Sequence, residues 1–332
     1  MTALAHASSH AFRASLGCDP IIVAYGAGVD STAMLIGPRN HKVTPNLILF
    51  ADTGSEKPET KAYLGVIGAW LAANAFPPIT IVRRRGPRAG DASLHDECLR
   101  KSILPSLAYG GHSCSLKWKV DPQWAFTRDH LGWDRRLRRW RHGPFVTKLI
   151  GYDAGPADAR RIAKASGKWP PGHRYRYPLA EWGWIREICE RVIADEGLPT
   201  PLKSSCFMCP ASKKHEVDWL AATHPELATI SIEMERGAHR RGLTTIRELG
   251  RRWSWSEHLG AGIPKEPAFI AARPLPTRRL SMLPTAIIRS LRTPQLTAAD
   301  FTSTKFYTAE DKAWFGNALL KGSAEINFST IR

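Results

Sequence analysis

At 332 residues with 43% hydrophobic content, the chain has length for one large domain or two and enough apolar residues for a real core. Lys and Arg number 47 against 30 Asp and Glu, giving a formal charge of +17 and a pI of about 9.9, an excess that points to a polyanionic partner, nucleic acid first. No run is apolar enough to span a membrane, the Ala- and Ser-rich start lacks the apolar region of a secretory signal, and six cysteines without small-scaffold spacing suit the reducing cytoplasm rather than a disulfide framework.

Residues 1–19 read as a flexible N-terminal arm. Residues 21–25 (IIVAY) are apolar without alternation, the pattern of a strand buried on both faces. Gly26, Ala27 and Gly28 follow, small enough to let an anion reach the backbone. Asp30, Ser31 and Thr32 then stand where a helix begins, offering caps and free N–H groups. Strand, small-residue turn and helix N-terminus together make a phosphate cradle. No Gly-Lys-Ser/Thr follows, so it is not a Walker A loop.

This segment resembles the PP-loop of the adenine nucleotide alpha hydrolases, in particular the phosphoadenosine-phosphosulfate-reductase-like branch. The family loop is written Ser-Gly-Gly-x-Asp-Ser. Here Gly26-Ala27-Gly28-Val29-Asp30-Ser31 departs at the first two positions, and the Ala27 Cβ opposes any positive φ the loop requires. The resemblance implies ATP held by Tyr25, Gly26, Ala27, Gly28, Asp30, Ser31 and Thr32. Asp30 and Ser31 would be the catalytic pair, with Asp30 carrying Mg2+ and the hydroxyls of Ser31 and Thr32 donating to phosphate. Without the resemblance, the same residues read as a Gly-rich turn with Asp30 capping the next helix.

A second buried run at 47–51 ends in Asp52-Thr53-Gly54 and leads to a helix over 59–74, with Tyr63, Leu64, Ile67, Trp70 and Leu71 at helical spacing. Further strands fall at 79–82 and 146–152. Alternation of this kind predicts an α/β fold, a doubly wound parallel sheet, with ligands at the carboxyl ends of its strands. Asp52 to Ser55, with Pro58-Glu59-Thr60, resembles the family's Asp-Thr-Gly … Pro-Glu-Thr stretch, which implies that Asp52, Thr53 and Gly54 seat the adenosine.

Between 83 and 143 the chain is polar, basic and aromatic. Residues 133–142 hold five arginines and two tryptophans, suited to phosphates and splayed bases. Trp133, Leu137 and Trp140 at i, i+4, i+7 predict an amphipathic surface helix with these three facing inward. Upstream, Cys114 to Pro122 resembles the family's Cys … Lys-x-x-Pro element, implying that Lys117 and Lys119 meet the substrate anion. Gly151 to Arg160 resembles its Gly-Ile-Arg … Arg strand end, implying a contact by Arg160, although Tyr152-Asp153 replaces Ile-Arg. Tyr177-Pro178-Leu179 and Trp182 resemble a further family element. In the helix expected over 184–196, Cys189 shares a face with Ile185, Ile188 and Val192, as a core thiol would.

Cys206-Phe207-Met208-Cys209 is half of a metal site and needs partners. The resemblance supplies Cys114 as third ligand, with Cys98 or His112 as fourth. A [4Fe-4S] cluster, a structural Zn2+, a redox dithiol and a pair of unligated thiols all fit the spacing. Helices are expected over 213–223 and 225–239, and from 262 the chain turns Pro-rich and basic. The organisation read is an arm (1–19), a nucleotide-binding α/β domain (20–200), a Cys-x-x-Cys element with a mostly helical extension (201–261), and a Pro-rich basic arm with a short terminal module (262–332).

The function implied is ATP-dependent adenylation of a nucleic acid (tRNA or DNA) or nucleotide, for sulfur insertion with a sulfur donor protein. Two alternatives stand beside it. One is a sulfonucleotide reductase, opposed by the lack of any cysteine after Cys209. The other is a non-catalytic nucleotide- or nucleic-acid-binding module, which Ala27 favours.

Overall fold

The computed structural model describes residues 12, 14–84, 93–107, 113–167, 169–250 and 252–261. The expected arm and module at either end therefore lie largely or wholly outside the described residues, as does His112.

Five parallel strands form the central sheet: β1 (Ile21–Tyr25), β2 (Leu47–Asp52), β3 (Ile79–Arg83), β6 (Val146–Ile150) and β7 (His173–Arg176), in the order β3-β2-β1-β6-β7. The doubly wound α/β sheet expected from the sequence is thus what the structure shows. The strand order reverses between β1 and β6, and in open α/β sheets such a switch point is where ligands bind, outside the carboxyl ends of the strands.

One face of the sheet is covered by α1 (Val29–Asn40) and α2 (Pro58–Ala73). Val23, Tyr25, Ile48 and Phe50 meet Leu35, Ile36, Ile67 and Leu71 there in one buried cluster. Each such side chain contributes about 1.5–3 kcal/mol through burial. Pro58 opens α2 at its first turn, where a missing N–H costs nothing. Phe12 and Leu16, in the stretch read as an arm, are buried in this same core, Phe12 edge-on to Trp182 at 5.0 Å. The opposite face holds Ile22, Leu47, Leu49, Val82 and Val146 under α4 (Asp121–Leu131).

The segment 133–142 is not a helix. Trp133–Asp134 (β4) and Arg139–Trp140 (β5) pair antiparallel as a small hairpin, with Trp133 opposite Trp140. Asp134 Oδ1 accepts from the amides of Arg136 and Leu137, both at 2.9 Å, and closes a turn that competes with helix. Arg138 completes the reversal at φ 51°. Leu137, expected inside, is exposed at the tip, whereas Trp140 is buried. A cross-strand pair satisfies the same tryptophan spacing as a helical face.

A further cluster joins α3 (Leu94–Lys101) to the C-terminal helices α8 (Lys214–Thr223), α9 (Pro225–Arg240) and α10 (Trp255–His258). Cys98, Trp118, Met208, Val217, Met234 and Trp255 meet in it. Between β6 and β7 runs α5 (Pro156–Ala165), and after β7 come the short α6 (Pro178–Glu181) and then α7 (Arg186–Asp195). Cys189 on α7 is fully buried, and burial pushes its thiol up to about 12, as a core cysteine requires. No helix among the described residues is long and apolar enough to cross a membrane.

Candidate functional site

The loop after β1 wraps the Ser31 side chain. Ser31 Oγ accepts from the amides of Gly26 (3.1 Å) and Gly28 (3.2 Å) and donates to the Gly28 carbonyl (3.1 Å). Ala27 takes φ 55°, a left-handed conformation that glycine adopts more readily. Its methyl is buried in the core, so this chain keeps the loop shape at a steric cost of about 1–2 kcal/mol. Thr32 N closes the first helical turn on Gly28 O at 3.0 Å, so the amides of that turn lack helical partners and are suited to an anion.

Thr32, expected to donate to phosphate, and Tyr25, expected at ATP, face into the core. Thr32 is fully buried and its hydroxyl lies 3.3 Å from Tyr25 Oη, inside the core. Helical periodicity turns Thr32 inward, and Tyr25 alternates to the same face. Their side chains brace the loop from behind; Ser31 shapes it.

Asp30 stands at the mouth. Its Oδ2 accepts from Arg186 Nη2 at 3.1 Å, and its Oδ1 is buried without a partner. Burial pushes the carboxyl up to about 6; Arg186 opposes the shift, and Asp153, Asp158 and Glu190 add to it. Asp30, Asp153 and Asp158 bring carboxylate oxygens within 4.8 Å of one another. Asp158 spends both oxygens, on Asp153 N (3.1 Å) and Arg161 (2.6 Å), whereas Asp153 spends Oδ1 on Gly155 N (2.8 Å) and Asp30 spends Oδ2 on Arg186, so Asp30 and Asp153 each keep one oxygen that could ligate a magnesium ion. The juxtaposition depends on Gly151 at the end of β6. A Cβ there would lie 3.0–3.1 Å from the backbone of Asp30 and Ser31, so a larger residue would press the end of β6 against the first turn of α1.

The Asp52–Gly54 loop lies beside it. Asp52 Oδ1 accepts from Gly54 N at 2.8 Å and its Oδ2 from Arg83 Nε at 2.9 Å, while Gly54 takes φ 70°. Thr53 Oγ1 donates to Glu56 Oε1 (3.1 Å) and lies 3.3 Å from Cys206 Sγ. A backbone bridge between Glu56 and Cys206, and Phe207 N donating to Ser55 O at 3.0 Å, zip this loop to the Cys-x-x-Cys turn. Just ahead of that turn, Ser204 Oγ sits 2.6 Å from where a Cβ on Gly28 would be. The loop after β1, the Asp52–Gly54 loop and the cysteine turn are therefore one assembly.

Cys206 and Cys209 close the turn through Cys209 N to Cys206 O at 3.1 Å. Cys114, on a helical turn at Ser113–Ser115, is near enough to Cys209 for their charges to interact, and Cys98 stands next to Cys114. Burial raises the thiols of Cys114 and Cys206, so ionising them calls for a compensating cation. Among the described residues no trio containing a cysteine has ligand atoms within 4.8 Å of one another. One tetrahedral zinc, with Zn–S bonds of about 2.3 Å, needs its sulfurs closer together than that.

The lysines expected at the substrate anion are engaged by carboxylates. They flank Trp118 in a π-helical stretch, Leu116–Val120, whose wide turn splays them apart. Lys117 Nζ bonds Glu97 Oε1, and Lys119 Nζ lies 3.1 Å from the fully buried Glu56. Burial works against the Lys119 charge, but Glu56 and the Cys206 sulfur hold its pKa well above the ordinary value. Arg160 is exposed on α5, whereas Arg161 turns back to Asp158 and lies 5.9 Å from the Tyr152 ring. Asp153, Ser204 and Glu56 were not singled out in the sequence. Only the substitution of Tyr152-Asp153 for Ile-Arg hinted at the first.

No model of a protein family matches the chain, and no curated protein does. Among solved structures it is similar to the U34-tRNA thiolase NcsA from Methanococcus maripaludis with its [4Fe-4S] cluster, at 17% identity and a TM-score of 0.36, over 70% of this chain and 79% of that one.

Proposed function

We propose that the chain is a PP-loop ATP pyrophosphatase that adenylates an oxygen of a nucleic-acid or nucleotide substrate. The substrate oxygen attacks the α-phosphorus, the bond to the bridging oxygen breaks, and pyrophosphate leaves. The adenylated oxygen is then a good leaving group for a sulfur nucleophile brought by a donor protein. The observation that carries this reading is the meeting of Gly151 with Ser31 at the switch point, which gathers Asp30, Asp153 and the free amides of α1 at one spot.

In this scheme the first-turn amides of α1 hold the departing pyrophosphate, and Ser31 keeps the loop in shape for it. Asp30 and Asp153 would hold Mg2+, which offsets the phosphate charge. Asp52 and Gly54 shape the adenosine seat. A [4Fe-4S] cluster on Cys114, Cys206 and Cys209 would supply a thiophilic centre for the incoming sulfur. Glu56 and Lys119, paired against Cys206, fix the orientation of that turn.

The test is to incubate the protein with ATP, Mg2+ and candidate tRNA or DNA and to measure AMP and pyrophosphate. Asp30→Ala should lower turnover by about 100-fold or more. Absence of AMP with every polyanion tried, from a protein that binds ATP, would overturn the reading in favour of a binding module.

A further inference from the structure

The β4–β5 hairpin is built as a rigid post carrying unpaired charge. At its base Trp133 and Trp140 meet edge-on, with ring centroids 4.8 Å apart. Trp140 Nε1 donates to Gly172 O at 2.7 Å, and Gly172 presses on both indoles where a Cβ would stand 2.5 and 2.6 Å away. Asp134 is occupied by the turn amides. Arg135, Arg136, Arg138, Arg139 and Arg141 are all exposed. Among the described residues none of the five makes an ion pair, whereas Arg161, Arg174 and Arg176 on the neighbouring α5 and β7 are each paired with an acid.

Five like charges within seven residues repel one another, and the fold supplies no counter-charge. An external polyanion would. Guanidinium groups match phosphate oxygens in pairs. A two-stranded ribbon enters the major groove of B-form DNA, which is about 12 Å wide, whereas the major groove of A-form RNA is deep and too narrow. We propose that this hairpin docks duplex DNA, its arginines gripping phosphates on the walls of the major groove. The proposal rests on the reading above that a nucleic acid is the substrate, and it names that substrate as DNA.

Trp140 bonds Gly172 just ahead of β7, which sets the hairpin at the amino end of that strand, in a cluster shared with Val146, Ile22 and Leu47. It stands away from Asp30 at the carboxyl ends, so it holds substrate without touching the reacting atoms. Its loss therefore raises KM for DNA and leaves kcat and ATP affinity alone.

The experiment uses the full chain and a fluorescent short duplex DNA, with the same sequence as duplex RNA and as a single strand, titrated across a salt series. The triple variant Arg135→Ser/Arg136→Ser/Arg138→Ser keeps both tryptophans and Asp134. Expected are preference for duplex DNA, a loss of at least about tenfold in affinity for the variant, and a log–log salt slope smaller by about 2–3. ATP binding, followed by calorimetry, stays unchanged. Equal affinity and slope in the variant, or hairpin-dependent binding that prefers duplex RNA, would overturn the docking proposal while leaving a nucleic-acid substrate standing. A wild-type chain that binds none of the three probes at low salt would overturn both.

Discussion

Ser204 occupies the space that a side chain on Gly28 would need: its Oγ lies 2.6 Å, and its Cβ 3.5 Å, from the position of a Cβ built there. Ser204, two residues before Cys206, thus sets how small the loop after β1 must be. Gly28 has φ −112°, which any residue adopts, so the constraint is one of space and not of backbone strain. Gly28→Ala should lower ATP affinity by about tenfold or more by pushing the two loops apart, with a stability loss of about 1–3 kcal/mol from overpacking. Adding Ser204→Gly should restore most of both, read by calorimetry and denaturant melts. A double variant no better than the single one would show that the two loops are not coupled in this way.

His224 ties the start of α9 to the start of α2, its Nε2 lying 2.7 Å from Glu59 Oε1. Burial disfavours the imidazolium, but the hydrogen bond and charge of Glu59 outweigh it and raise the pKa above the ordinary 6.5. A raised folded-state value means that the cation is favoured by folding. The stabilisation is fully present below pH 6.5 and is lost as pH rises through the folded value. Urea midpoints of the wild type should therefore fall on going from mildly acid to mildly alkaline buffer. His224→Gln should flatten that part of the profile and lower the acid-side midpoint most, and an unchanged slope would refute the assignment.

Glu235 is a buried acid with every contact accounted for. Its Oε1 accepts from Leu249 N (2.7 Å) and Trp255 N (3.0 Å), and its Oε2 from Ser254 Oγ (2.8 Å) and Ser256 N (2.9 Å). One carboxylate on α9 thereby caps α10 and seats Trp255. Glu235→Gln keeps the shape, but turns an acceptor into a donor facing backbone amides. The expected loss is about 2–4 kcal/mol in denaturant melts, with tryptophan fluorescence moving to longer wavelength as Trp255 loosens. Glu235→Asp, too short to reach all four donors, should fall in between.

The strands and the first loop were legible because buried parallel strands write themselves as unbroken apolar runs, and because small residues before Asp30 have few other uses. What escaped was what only topology brings together. Asp153 lies far from Asp30 in sequence, and nothing local predicts that β6 pairs with β1. The inward turn of Thr32 follows from helical phase, which a motif read as a string ignores. The hairpin at 133–140 was misread because tryptophans seven apart fit a helical face and a cross-strand pair equally well. Asp134 and its two bonded amides decide between them.

The cysteines permit the last prediction. Cys114, Cys206 and Cys209 stand beside the Asp52–Gly54 loop, Cys18 is exposed and Cys189 is sealed in the core. If the first three hold a cluster, anaerobically prepared protein should be coloured and contain iron and acid-labile sulfide. Cys206→Ser should abolish both signals by replacing a thiolate ligand, and it also removes the sulfur that touches Thr53. Cys18→Ser should leave them unchanged. Cys98→Ala separates a fourth ligand from a core thiol: a ligand would cost cluster content, whereas a packing residue would cost stability alone, a small-to-smaller change worth about 1 kcal/mol. Cys98 is buried among Trp118, Met208 and Met234, whereas Cys114, Cys206 and Cys209 are only half-buried, so Cys98 has the setting of a packing thiol. The expected outcome is therefore retained iron with a lowered melting point.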